Sequence, residues 1–254
     1  MKISVVVCPG PNKAECEDTA LVGAALINNA VGVYEADLPV TICVADGVGG
    51  NPGGREAGEF ILAGISADML PAEETAVYEH LQELNRQLIG FAAGKAFKRQ
   101  MATVFTGLFL THESIILAHI GNTRLYVMQG GYLKKITEDQ TTYQWLVSAG
   151  NDKAAAQCNK NEITGCLGGG DEKYALRLEV KRIFEKGMPD TLLLTSDGIH
   201  DYIDIDSLEE LLAAPDDKSD LEIAGAIVSR ASANGSTDDK TIIIVRTESL
   251  LHKE

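Results

Sequence analysis

Thr103 to Leu110 (TVFTGLFL), Ser114 to Ile120 (SIILAHI), Leu125 to Gln129 (LYVMQ) and Tyr132 to Ile136 (YLKKI) follow one another with little between them. Each is short, apolar and rich in β-branched or aromatic residues, which is strand composition. Gly130-Gly131 between the last two is a hairpin turn signal. A parallel crossover needs about a dozen residues or more, so connections this short force antiparallel pairing. This stretch decides the fold class. Antiparallel strands grouped apart from helices mean α+β, not alternating βαβ.

Outward from it, Ser4–Val7, Leu21–Ile27 and Val40–Ala45 read as earlier strands. Helices are expected from about Arg55 to Met69 and from about Thr75 to Phe97; in the second, Val77, Leu81, Leu84 and Leu88 recur at helical spacing. A short helix from about Thr141 to Ala149, with Trp145 in the core, leads to a polar loop through Lys160. Leu176, Leu178 and Val180 alternate with Arg177, Glu179 and Lys181, which marks a strand with one wet face. Thr191–Thr195 reads as a buried strand, followed by helices at about Ser207–Ala214 and Leu221–Ala233 and a last strand, Thr241–Arg246. So many strands exceed one comfortable sheet, so two stacked sheets with helices on their outer faces are expected. With no repeat, low-complexity tract or linker, residues 1–254 read as one domain.

Composition narrows the function. At 45% hydrophobic and 23% charged the chain can bury an ample core. Its net charge of −15, with no Lys/Arg cluster, argues against nucleic acid and against an anionic membrane surface. Five cysteines, an odd count with no C-x-x-C pair, read as free thiols of a reducing cytoplasm. The N-terminal run Ile3 to Cys8 lacks a small-residue cleavage site, and no apolar stretch is long enough to span a membrane. No exposed apolar stripe is evident, so a monomer is expected.

Three carboxylates stand at the edges of three apolar runs. Asp46-Gly47-Val48-Gly49-Gly50 follows Val40–Ala45, Ser196-Asp197-Gly198 follows Thr191–Thr195, and Asp238 precedes Thr241–Val245. Strand ends hold side chains rigidly, and oxygen-only ligands suit Mg²⁺, Mn²⁺ or Ca²⁺ rather than zinc or copper. Asp-Gly is also a common turn dipeptide, and spacing alone leaves both readings open.

Eight short motifs, in order from about residue 4 to 247, resemble those of the metal-dependent protein phosphatases, the type 2C or PPM family, in its compact bacterial form. R-x-x-N-E-D is matched by Lys13-Ala14-Glu15-Cys16-Glu17-Asp18, and D-G-x-G-G with its following helix by Asp46 to Ala57. A G-T-T-like strand start appears as Ala102-Thr103-Val104, G-D-S-R as Gly121-Asn122-Thr123-Arg124, and L-T-x-D-H as Ile136-Thr137-Glu138-Asp139-Gln140. T-x-x-L-G appears as Thr164-Gly165-Cys166-Leu167-Gly168, S-D-G is intact at Ser196-Asp197-Gly198, and D-N-x-T appears as Asp238-Asp239-Lys240-Thr241.

The resemblance implies a four-layer α-β-β-α sandwich. It implies hydrolysis of phosphoserine and phosphothreonine in a protein substrate of a serine/threonine kinase, by water activated between two Mn²⁺ or Mg²⁺ ions. Asp46 would bridge the ions, Asp197 and Asp238 would complete one, and Glu17 with the Gly47 carbonyl would serve the other. Asp18 would order a water, and Lys13 would stand where an arginine usually grips the substrate phosphate. Residues 151–160 correspond to the family's flap, which should influence substrate choice. Asn122 replaces an aspartate that, with the position of Asp201, helps hold a third ion in some members, which argues against a third ion here. Asp239 replaces asparagine, and its added charge should favour metal and disfavour phosphate. Val48 cannot donate a proton, and His200, the nearest histidine to Asp197 in sequence, is expected to pack rather than catalyse. These departures keep two alternatives open: a catalytically weak binding module on the same fold, and a hydrolase for small phosphoesters.

Overall fold

The computed structural model describes residues 1–49, 52–67, 73–95, 100–170, 176–184, 188–213 and 218–247. Strand β1 (Lys2–Cys8) leads to β2 (Thr19–Val22), β3 (Ala25–Ile27), β4 (Ala30–Glu35) and β5 (Val40–Gly47). Helices α1 (Gly54–Ala67) and α2 (Glu74–Ala93) follow. The central run is β6 (Ala102–Leu110), β7 (Ile115–Ile120), β8 (Arg124–Gln129) and β9 (Tyr132–Lys135). Two short helices, α3 (Thr142–Ser148) and α4 (Asp152–Ala155), precede β10 (Leu167–Gly168), β11 (Glu179–Phe184) and β12 (Thr191–Thr195). The chain continues through α5 (Asp197–His200), α6 (Ile205–Leu212) and α7 (Asp220–Ala233) to β13 (Lys240–Arg246).

The strands form two sheets, ordered β4-β1-β13-β12-β8-β9 and β11-β7-β6-β5-β2-β3, with β10 against β6. Every strand pair among the described residues is antiparallel. Gly130 and Gly131 take φ of +60° and +85°, the left-handed values that a two-residue turn between β8 and β9 requires.

Three apolar clusters separate the layers. Val5, Val44, Leu108, Leu194 and Ile243 meet between the sheets. Ile61, Leu62, Leu81 and Leu88 of α1 and α2 pack on Phe105 and Phe109 of the second sheet. Leu208, Leu212, Ile223 and Ile227 of α6 and α7 pack on Tyr126, Leu193 and Ile244 of the first. The expected α-β-β-α sandwich is observed. Strands β6, β7 and β12 are buried along their whole length because both faces are covered, which is why their sequences are continuously apolar.

The differences lie at edges and ends. Leu21–Ile27 is not one strand but the hairpin β2–β3, which turns at Gly23-Ala24. Strand β4 escapes the sequence pattern because it is an edge strand whose alternate residues, Val31 and Val33, are exposed and apolar. Strand β11 starts at Glu179, later than the alternation from Leu176 suggests. Trp145 is 63% exposed rather than in the core, since α3 buries none of its residues. Helix α6 starts at Ile205, two residues earlier than expected, because Asp204 caps it through the Ser207 N–H. Met69, Phe97 and Ala214, the expected ends of the helices that became α1, α2 and α6, lie outside the described residues, as do Gly50 and Asn51 of the glycine-rich loop.

Candidate active site

One end of the sandwich gathers the acidic residues. Asp46 and Gly47 are the last two residues of β5, and Asp197 opens α5 directly after β12. Asp238 lies just before β13, which pairs with β12 so that Thr195 faces Ile242. Lys13, Glu17 and Asp18 come from the segment between β1 and β2. A cavity of about 250 Å³ is lined by Lys13, Glu17, Asp46, Gly47, Asp197 and Asp238, with Val48 and Asn122 beside them and Asn159, Asn161 and Ile163 completing the wall.

Two of the sequence-predicted residues stand outside that lining. Asp18 is buried beneath it: Oδ2 accepts from Ser196 Oγ at 2.7 Å and from Thr241 Oγ1 at 2.8 Å, while Oδ1 has no hydrogen-bond partner. Asp201 lies just past α5, and burial raises its carboxyl above the usual range, with Arg124 and the Asn161 amide working the other way.

The carboxylates strain against one another. Burial pushes Asp18 up to about 7, opposed by the Ser196 and Thr241 hydroxyls and reinforced by the charges of Asp239 and Asp197. Burial pushes Asp46 well above the usual carboxylate range, and Asp18, Asp197 and Asp238 push it further. Burial raises Asp197 to about 6, with Asp238 and Asp201 adding to it, while Asn122 Nδ2, donating to Oδ2 at 3.0 Å, works the other way. Glu17 is raised by burial and partly relieved by Lys13. Carboxylates crowded with little water must be neutralised by protons or by a cation.

The donor set, carboxylates with backbone carbonyls and no buried cysteine or histidine in the lining, fits a hard divalent cation. The unpartnered Asp18 Oδ1 is an acceptor left for such an ion or its water. Among the described residues, no three His, Cys, Asp or Glu side chains stand together as a ready-made ion site. Part of the reason is on the same wall: Lys13 engages Asp238 and Asn122 engages Asp197. Closing on an ion requires some of these side chains to exchange partners.

No family model matches the chain. Curated relatives do. The serine/threonine phosphatase stp of Listeria welshimeri is 27% identical over 227 residues, 84% of this chain and 87% of that protein. A putative protein phosphatase 2C-type of Streptococcus pyogenes is also 27% identical, over 82% of this chain and 86% of its own length. The crystal structure of the serine/threonine phosphatase Stp1 from Staphylococcus aureus superposes with a TM-score of 0.80, covering 96% of this chain and 94% of that one at 23% identity, and shows the same fold. The chain is thus similar in sequence to bacterial serine/threonine phosphatases, one of them described as protein phosphatase 2C-type, and shares their fold.

At this site several residues matter to which sequence reading gave no role. Ser196 and Thr241 sit inside quoted motifs, yet only the fold shows both hydroxyls on Asp18. Asn28 Nδ2 donates to the Asp18 carbonyl at 2.5 Å, Thr103 Oγ1 to the Asp46 carbonyl at 2.8 Å, and buried Lys240 Nζ to the Asp238 carbonyl at 2.7 Å. Thr103 lies 57 positions from Asp46, and even the near pair Lys240 and Asp238 carries no pattern that signals the contact.

Asp239 adds its charge beside the cluster, as expected, and it also has a second task. It is 3% exposed, and its oxygens accept the N–H groups of Gly10 and Glu17, each at 2.8 Å. That task is to hold the segment that carries Lys13, Glu17 and Asp18. Gly198 supports this packing, since a Cβ there would fall 1.8 Å from the Asp239 carbonyl oxygen. His200 packs, as expected: it is buried, Nδ1 bonds Thr195 Oγ1 at 2.8 Å, and burial holds it well below the usual histidine range. It does not line the cavity.

Proposed function

We propose that the chain is a metal-dependent protein serine/threonine phosphatase that hydrolyses phosphoserine and phosphothreonine in protein substrates of a serine/threonine kinase. The observation that carries this reading is the group of buried, mutually opposed aspartates in one polar cavity, Asp46 above all. Two Mn²⁺ or Mg²⁺ ions bound there would supply charge against the phosphoryl oxygens and lower the pKa of a water. Asp46 would hold both, Asp197 and Asp238 would complete one, and Glu17 with the Gly47 carbonyl would serve the other.

The chain's own residues do the rest. Asp18, fixed on one oxygen by two hydroxyls, keeps the other free to orient a water and accept a proton. Lys13 supplies the positive charge on the rim, without the bidentate fork of an arginine. The amides of Asn159 and Asn161 offer neutral hydrogen-bond donors on the facing wall. Asn122 spends its amide on Asp197, which leaves no carboxylate there and argues against a third ion. No described helix is long and apolar enough to cross a membrane, and a monomer working in the cytoplasm remains part of the proposal.

The test is turnover after removal of metal by chelator. A phosphothreonine peptide and p-nitrophenyl phosphate are assayed with and without Mn²⁺ or Mg²⁺, in the natural chain and in Asp46→Asn. Metal-restored hydrolysis of the peptide, lost in the variant, is expected. No turnover with either ion would overturn the reading, and turnover of the small ester alone would move the function to small phosphoesters.

A further inference from the structure

Lys13 does not stand free above the cavity. Its Nζ lies 2.5 Å from Asp238 Oδ1 and 3.2 Å from Asp239 Oδ2. The two partners are unlike. Asp239 is buried and committed to the Gly10 and Glu17 N–H groups, so it cannot move without unravelling the segment on which Lys13 sits. The Asp238 side chain is 47% exposed on the cavity wall, and besides Lys13 it accepts from the neighbouring Asp239 N–H at 2.9 Å. One partner is an anchor, and the other can be taken by a stronger cation.

Resting on the proposed metal-dependent activity, we infer that Lys13 is an exchangeable internal cation. It neutralises Asp238 until a divalent ion takes that carboxylate, and the released ammonium, still anchored beside Asp239, then turns to the cavity as the charge that receives phosphate. An ammonium carries one charge, here shared between Asp238 and Asp239. A divalent ion held by Asp238 together with Asp46 and Asp197 would carry twice that charge and would repel an ammonium left between them. The flexible four-carbon stem of lysine allows the swing at small cost, whereas a planar guanidinium forked across Asp238 and Asp239 would resist it. The lysine at position 13 and the aspartate at position 239 thus form one device. Metal loading and phosphate binding become coupled, and the coupling must run both ways.

The test reads Lys13 directly, without turnover. The intact chain is acetylated with an N-hydroxysuccinimide ester in the presence and absence of Mg²⁺, and modification is quantified by peptide mass spectrometry, with exposed Lys134 as the internal reference. Mg²⁺ binding is followed in parallel by calorimetry. Modification of Lys13 is expected to rise severalfold with Mg²⁺ while Lys134 stays constant. In Asp238→Asn it is expected to be high without Mg²⁺ and insensitive to it. Lys13→Met, which removes the competitor, is expected to tighten Mg²⁺ by roughly twofold to fivefold, the scale of a partly exposed ion pair. Mg²⁺ binding with unchanged Lys13 modification and unchanged affinity in Lys13→Met overturns the exchange and leaves the metal reading standing. No heat from Mg²⁺ or Mn²⁺ overturns the metal reading, and the exchange with it.

Discussion

The floor of the cavity and its rim are built on opposite principles. The floor is Asp18, Asp46 and their supports, set at strand ends and closed by the hydroxyls of Ser196, Thr241 and Thr103. The rim is Lys13, Asn122, Asp238, Asn159 and Asn161; Lys13 pairs with Asp238 and Asn122 with Asp197, and these side chains can pair otherwise. Where strands fix a carboxylate, neighbours strain it rather than relax it. Where loops carry it, an internal donor relieves it. The contrast separates two tasks. Holding a divalent ion needs rigid crowded oxygens, while admitting a substrate needs groups that change partners.

The largest effect should come from the floor. Asp46→Asn is expected to lower turnover by more than about 10²-fold, beyond the 10- to 100-fold typical of residues that merely support ligands. In chelator the same variant is expected to melt no lower than the natural chain, because it removes one of several repelling buried carboxylates. A fall in melting temperature in chelator alongside the loss of turnover would mean that Asp46 is a structural residue. Next come the supports. Thr241→Val or Ser196→Ala leaves Asp18 one donor short, at a cost of about 1–3 kcal/mol in stability and about 10- to 100-fold in metal affinity. Denaturant titration and calorimetry read the two.

Asp239 separates floor from rim. Its sequence position suggested that Asp239→Asn would favour phosphate. The two N–H groups it accepts predict the opposite. An amide offers one acceptor oxygen, so either Gly10 or Glu17 loses its bond, and the variant should unfold about 1–3 kcal/mol more easily with no gain in the Michaelis constant. A lower Michaelis constant at unchanged stability would restore the original reading.

The smallest effect is a pH dependence. Asp18 and Asp197 have folded values raised to about 7 and about 6 from 3.8, so the folded chain binds more protons than the unfolded one across that window. Their contribution is fully present below about 4 and is lost as pH rises toward 7. In chelator, melting temperature should therefore fall across this range through the cluster's contribution, and Mg²⁺ should reverse that fall near neutral pH by replacing the protons. Melting curves that Mg²⁺ leaves unchanged at pH 7 would count against a metal-binding floor.

The same division governs what the sequence made legible. Strand-end aspartates and the antiparallel run from Thr103 to Ile136 are written locally, in apolar runs and turn residues, and they place the fold and the carboxylates. The hairpin at Gly23-Ala24, the edge strand β4 and exposed Trp145 were misread because burial of one side chain depends on what covers it, which no period along the chain records. At the site, Asp239 looked like one more charge in a cluster. Its function depends on backbone donors more than two hundred positions away. Lys13 was read by its charge alone, and only the fold shows where that charge rests.

The most direct measurement is anomalous diffraction from crystals of the chain grown or soaked with Mn²⁺. The account predicts two manganese peaks on either side of the Asp46 carboxylate, one bounded by Asp197 and Asp238 and the other by Glu17 and the Gly47 carbonyl. Ordered manganese elsewhere, or none within bonding distance of Asp46 at concentrations that support turnover, would contradict it.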